Sequence, residues 1–211
     1  MFLIIVHGLG WTLAIAVISF LFGSVLGVGI TIGRLSRSAL TRALTRAWIE
    51  LIRSVPPLVW LFIVYFGLGE LGPKLSPFQS AVATFSVIAS VYLGEIFRGG
   101  YAALVSGQTE AAKSLGLRKG DIFFTIVLPQ VFRTVSPSMV AYAIGLMKDS
   151  ALASTIGVVE MTFRANQVTQ ATGKGLTAYL IVGLIYLLIS LPFGAWARYV
   201  DQRSHKRYVV N

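Results

Sequence analysis

Residues 177–197 run for 21 positions without a charged side chain, and four further segments are predominantly apolar. A helix needs about 20 mostly apolar residues to cross a bilayer, because hydrocarbon offers its backbone no other hydrogen-bond partner. Segments 9–32, 51–68 and 78–96 qualify, and 127–147 qualifies in a more broken form. Charged residues make up only 12% of the 211 residues, roughly half the share of a soluble domain. The expected fold is therefore an all-α integral membrane protein with five transmembrane helices, forming one domain over residues 1–211. The start Met1-Phe2-Leu3 has no basic n-region, so the first apolar stretch is expected to be retained as a span.

The net charge is +10, and the position of the charges explains it better than a nucleic-acid partner does. Arg34, Arg37, Arg42, Arg46 and Arg53 lie between spans one and two. Arg98, Lys113, Arg118, Lys119 and Arg133 lie between spans three and four, and Arg198, Arg203, Lys206 and Arg207 follow span five. Only Lys74, Lys148, Arg164 and Lys174 fall on the other side. By the positive-inside rule, the N-terminus is expected outside and the C-terminus in the cytoplasm. Five spans are few for a self-contained carrier, and no internal repeat is visible. A second subunit, identical or homologous, is expected about a two-fold axis along the membrane normal.

The polar stretch 109–127 interrupts this pattern. Thr109 reads as an N-cap, Glu110 suits the positive end of a helix, and Gly116 suits its C′ position. Ala111, Ala112 and Leu115 are expected on one face as a small apolar knob. Asp121 reads as the cap of a second short helix carrying Ile122, Phe123 and Ile126, which Pro129 would break. A cytoplasmic helix–turn–helix of this kind serves either as an interfacial linker or as a docking element.

Glu110-Ala111-Ala112, three residues, Gly116, nine residues and Ile126-Val127-Leu128-Pro129 resemble the EAA loop of ABC importer permeases. Gly8-Leu9-Gly10-Trp11-Thr12-Leu13, Arg53-Ser54-Val55-Pro56-Pro57-Leu58 and Glu95-Ile96-Phe97-Arg98-Gly99-Gly100 resemble further elements of the histidine/glutamine-type branch. So do Met147-Lys148-Asp149-Ser150 and Gly157-Val158-Val159-Glu160-Met161-Thr162, although Met161 stands where Leu is usual and Ser150-Ala151 replaces a common Thr-Ser pair. The resemblance implies a type I importer permease in a bacterial cytoplasmic membrane, moving polar amino acids or related small zwitterions inward by alternating access. It implies that Glu110, Ala111, Ala112, Ser114, Leu115, Gly116 and Arg118 meet one of two ATP-binding subunits. It also implies a ligand-delivering extracytoplasmic amino-acid-binding protein, which the polar segment 164–173, read as an outer loop, is expected to meet. No G-x-x-x-x-G-K-[ST] occurs, so ATP and Mg belong to the partner and no cofactor is expected on this chain. With no cysteine and only His7 and His205, no metal site and no catalytic triad is expected.

Ionisable residues at membrane depth point to function or to pairing. Glu95 and Arg98, three apart on a helix, are expected to form a salt bridge. Lys148 and Asp149 are expected to pair or to line the cavity, and with Ser154 and Glu160 they are the candidate substrate-binding residues. Ser154, Thr155, Ile156 and Gly157 are small enough to close a gate. Glu160 has two open readings: a carboxylate for the ammonium group of a substrate, or a helix terminus. Arg42, Arg46 and Glu50 share a helix face and could pair, while Arg34 and Arg37 read as headgroup anchors. Two small-xxx-small repeats, at Gly23/Gly27 and Gly29/Gly33, allow close helix approach. The rival class is an energy-independent channel or carrier, for which transport without any ATPase would be the signature.

Overall fold

The computed structural model describes residues 1–72, 74–104 and 106–205, and among them all regular structure is helical. After a short α1 (Phe2–Val6), α2 (Leu9–Leu35) is the first span. Ser36 leaves the helical conformation, and Ser38 caps α3 (Ala39–Ser54), its Oγ accepting from the Thr41 amide at 3.3 Å. Arg42 closes this turn, donating to the carbonyls of Ser36 and Arg37 at 2.9 and 2.8 Å. Its expected pairing along the face with Arg46 and Glu50 does not form among the described residues, because the nearer carbonyls claim the guanidinium.

Span two begins later than residue 51. Val55 (φ −108°, ψ 132°) and Pro56 (φ −56°, ψ 142°) are extended, as sterics before a proline require, and the chain turns through 97° into α4 (Pro57–Phe62). Pro57 occupies the first turn, where its missing N–H costs nothing. The Trp60 indole N–H donates to the Ile52 carbonyl at 3.1 Å, taking up an orphan acceptor at the end of α3. The helix widens to π form over Ile63–Gly67, continues as α5 (Leu68–Leu71), and ends at Gly72 with φ +122°.

A reciprocal cap of Ser76 and Gln79 starts α6 (Pro77–Ala102), which runs past the expected end at residue 96. It packs along α2 through a seam of small residues. A Cβ at Gly23 would collide with that of Ala89, and one at Gly27 would lie 3.1 Å from the Gly94 nitrogen and the Ser90 oxygen. The Thr31 hydroxyl sits 2.9 Å from both the Gly94 and the Gly27 carbonyl oxygens. The first small-xxx-small repeat is thus an intrasubunit seam. In the second, Gly33 approaches Thr45, and Gly29 faces open space.

Short α7 (Ser106–Ser114) and α8 (Lys119–Asp121) precede a π segment, Ile122–Val127, that runs directly into α9 (Leu128–Asp149). Two expectations fail here. Asp121 lies within the first turn behind the N-cap Arg118, and Pro129 does not break the helix. Proline has no N–H to give and its ring crowds the preceding turn; the wider π register ahead of it supplies room. A 3-10 stretch, Ser150–Ile156, leads to α10 (Met161–Thr172), and α11 (Gly175–His205) closes the bundle.

Three helical stretches are long and apolar enough to cross a membrane on composition alone: residues 2–35, Pro77–Ala102 and Gly175–Tyr199. The bent pair Ala39–Ser54 and Pro57–Glu70 counts as a fourth if it is one span. Helix α9 is less apolar. Its 22 residues extend about 33 Å, and it packs among α2, α6 and α11, so it completes the bundle. Ile15, Ile52, Leu61, Phe85, Leu93 and Leu146 fill the main core. A second cluster, including Ile5, Met161, Val168 and Val182, joins α1, α10 and α11.

Candidate functional site: the α7 elbow and the segment from residue 148 to residue 161

The elbow is built from its C-terminal stop. Gly116 is left-handed (φ +75°), its amide donating to the Lys113 carbonyl at 3.0 Å while the Leu117 amide donates to that of Ala112 at 3.2 Å. These two bonds are a Schellman motif, and a glycine accepts the backbone conformation it needs without strain. The start differs from expectation. Thr109 lies a turn inside α7, and near the start of that helix the Gln130 side-chain amide donates to the Gln108 side-chain oxygen at 2.6 Å.

The apolar face is also divided. Ala112 is 3% exposed and packs with Ile122 and Val127, whereas Ala111 is exposed and Leu115 is 80% exposed. Ala112 is therefore the inward anchor, and Leu115 projects from the elbow. Glu110, Ser114 and Arg118 are exposed, and the Ser114 hydroxyl donates to the Glu110 carbonyl at 3.1 Å. A concavity of about 530 Å³ opens between α7 and the start of α9, lined by Gln108, Ala111, Leu115, Thr125, Pro129 and Arg133. An apolar projection beside an open groove gives a second protein both a knob and a hole to grip.

At the other end of α9, Glu160 is fully buried. It is the N-cap of α10: Oε1 accepts from the Phe163 amide at 2.7 Å, and Oε2 accepts from the Thr12 hydroxyl at 3.4 Å. The same Thr12 oxygen accepts from the Met161 amide at 3.3 Å. A Cβ at Gly8 would lie 2.5 Å from the Glu160 carbonyl carbon and the Met161 nitrogen. Sequence segments 8–13 and 157–162 therefore meet in one tight joint, and of the two readings of Glu160 the geometry takes the helix terminus. The segment expected as a polar outer loop is largely helix, with Gly173 (φ +67°) as its stop.

Lys148 and Asp149 are both exposed and do not pair with each other. Between them and Glu160, the 3-10 stretch is seven residues long, more than such helices usually reach. The hydroxyls of Ser150, Ser154 and Thr155 each donate three residues back, to Met147, Ala151 and Leu152 at 2.6, 2.7 and 2.7 Å. Of the four gate candidates, Ile156 is buried in the main core, Ser154 is half-buried, and Thr155 and left-handed Gly157 (φ +93°) are exposed.

The expected Glu95–Arg98 bridge forms at 2.9 Å, and Arg34 joins it at 2.9 Å rather than standing as a free anchor. Sequence reading also missed an aromatic stack. The Arg53 guanidinium lies 4.5 Å from the centre of the Tyr92 ring, which stacks on Tyr142 at 5.4 Å. These residues sit on three helices, so no spacing along the chain could reveal them.

Residues 23–206 match the family described as binding-protein-dependent transport system inner membrane component. The L-cystine transport system permease protein TcyL of Bacillus subtilis (strain 168) is 34% identical over 202 residues, covering 92% of this chain and 84% of that protein. The arginine transport system permease protein ArtQ of the same organism is 36% identical, with 89% and 86% covered. The nopaline transport system permease protein NocM of Agrobacterium fabrum is 33% identical, with 85% and 78% covered. Among solved structures, an amino acid ABC transporter with histidines superposes with a TM-score of 0.85 at 28% identity, over 95% of this chain and 94% of that one. The MetNI methionine ABC transporter in inward-facing conformations shares the fold, with a TM-score of 0.72 at 20% identity, covering 93% and 96%. The chain belongs to the binding-protein-dependent transport system inner membrane components and has the type I fold of a membrane-embedded ABC importer permease subunit.

Proposed function

We propose that this chain carries a polar amino acid inward across a bacterial cytoplasmic membrane by alternating access, driven by ATP-binding subunits seated on the α7 elbow. The observation that carries this reading is the elbow itself: a helix stopped by a Schellman glycine, anchored inward by Ala112, and presenting Leu115 beside an open groove. Glu110, Ala111, Ser114, Gly116 and Arg118 complete the exposed surface. The relatives named for cystine, arginine and nopaline support a polar, amino-acid-like cargo.

The chain works with a second permease subunit, identical or homologous, and the ATP and Mg sit on the nucleotide-binding partners. Closure of those partners draws the two elbows together. Rigid coupling through the continuous helix of α8, the π segment and α9 carries that movement to the outer end of the bundle. A motor shifts such an equilibrium only by binding the two states differently, so the elbow contacts must differ between inward- and outward-open forms. The distribution of basic residues supports an external N-terminus and a cytoplasmic C-terminus. The joint of Gly8, Thr12 and Glu160 then lies on the outer side with α10, where an extracytoplasmic amino-acid-binding protein docks. The Ser154–Gly157 segment is the gate: its 3-10 hydrogen bonds can return to α-helical register without exposing a backbone group.

The test is a single thiol at Leu115→Cys, since the chain has no cysteine of its own. Crosslinking to the ATP-binding subunit, with an efficiency that changes when nucleotide is trapped, is the expected result. Crosslinking to lipid alone would overturn the assignment.

A further inference from the structure

We infer that the groove between α2, α9 and α11 is a site for an anionic phospholipid of the inner leaflet, with an acyl chain along the groove and the phosphate on Arg133. The site requires only that α9 begin at the cytoplasmic surface, not that the cargo be an amino acid. Helices α2 and α11 both pack on α9, and an open groove of about 590 Å³ runs between them. Val17 and Phe20 of α2, Met139 and Ile144 of α9, and Ile189 and Phe193 of α11 line it. Along α9 the lining extends from Phe132 to Met147, a rise of about 22 Å. One leaflet of hydrocarbon is about 15 Å deep, half of a core of about 30 Å. An acyl chain entering at the Phe132 end therefore meets an apolar wall over its whole depth.

The polar groups of the groove are gathered at that end. Apart from Arg133, Ser136 and the indole of Trp196, the lining is apolar. The Ser136 hydroxyl is already satisfied, donating to the Arg133 carbonyl at 3.1 Å. The Arg133 side chain is exposed, and among the described residues its guanidinium forms no ion pair. On the topology proposed above, α9 rises from the cytoplasmic surface and α11 returns to it. Arg133, early in the one, and Trp196, late in the other, then share the inner headgroup level. A cation and an amphipathic indole at the mouth of an apolar groove suit a lipid with a charged head. A guanidinium offers a phosphate paired N–H donors, which fixes the head while the groove takes the tail. A polar cargo gains nothing from such walls. A second copy seated face to face on this groove would bring its own Arg133 to the same height, a like charge rather than a counter-charge. Arg133 also borders the concavity beside the α7 elbow, so the bound phosphate lies next to the surface proposed for the ATP-binding subunits.

The experiment uses the permease purified with its ATP-binding subunits and reconstituted in phosphatidylcholine bilayers. A trace of phosphatidylglycerol carries a diazirine midway along one acyl chain, and adducts formed on irradiation are located by peptide mass spectrometry. Labelling is expected on the groove residues of α9 and α11, displaced by unlabelled phosphatidylglycerol but not by further phosphatidylcholine. Arg133→Gln should lower that labelling about 10-fold or more, the usual worth of a hydrogen bond to a charged group, and Arg133→Lys should keep part of it. Ala143→Phe, which fills the groove from α9 and leaves Arg133 in place, should also lower it. Each variant is compared as monodisperse complex. Equal labelling by a phosphatidylcholine probe, or unchanged labelling in Arg133→Gln, would mean ordinary boundary lipid and overturn the inference. Adducts confined to other faces would overturn it too. So would crosslinking of two permease copies through Ala143→Cys, which would place a second subunit over the groove.

Discussion

The seam between α2 and α6 and the elbow at α7 both depend on glycine, for opposite reasons. At Gly23 and Gly27 the glycine is wanted for its missing Cβ, since the Ala89 Cβ and the backbone of α6 occupy the space. At Gly116 the surroundings are open, and the glycine is wanted for a positive φ. The first kind locks two helices into one body. The second shapes an exposed surface, which the reading proposed above assigns to another protein. A machine that turns ATP hydrolysis into movement needs both: a unit stiff enough to move as a whole, and a handle that is not part of its packing.

Substitutions can break this contrast. The largest effect is expected for Gly23→Leu, whose side chain has no room against Ala89; overpacking of this kind costs about 1–3 kcal/mol or more, and the yield of monodisperse complex should collapse. Gly116→Pro and Glu110→Lys are expected to abolish ATP-dependent uptake while membrane insertion, read by protease accessibility, stays normal. Normal import by either variant would remove the docking assignment. Glu160→Ala should lower stability by about 1–2 kcal/mol through loss of the α10 cap, seen as a lower melting temperature, with Glu160→Gln closer to wild type. Gly29→Leu, facing open space, should change neither assembly nor the melting temperature of the monodisperse subunit; a large loss there would mean that the seam is not what distinguishes the glycines.

Much of this was legible in the chain because it is local. Hydrocarbon-length apolar runs marked the bundle, Gly116 marked the end of α7, and the three-residue spacing of Glu95 and Arg98 gave their bridge. What stayed hidden depends on partners far along the chain. Thr109 looks like a cap, yet it lies a turn inside α7, where Gln108 meets Gln130 of another helix. Nothing near Glu160 shows that Thr12 waits for it 148 residues away. Arg34 reads as an anchor until α6 brings Glu95 to it. The π segment before Pro129 was unreadable because proline normally signals a break, and only the continuous helix shows that widening avoided one.

The bend at Val55 and Pro56 bears on how the molecule moves. With the following segment upright in the bilayer, a 97° turn lays α3 along the membrane surface, with Leu40, Leu44 and Trp48 exposed on the free subunit. Such a helix resists lifting, because raising it would wet those side chains, but it slides sideways at little cost. The second span is thereby moored at a fixed height yet left able to rock, like a mast stepped on a float.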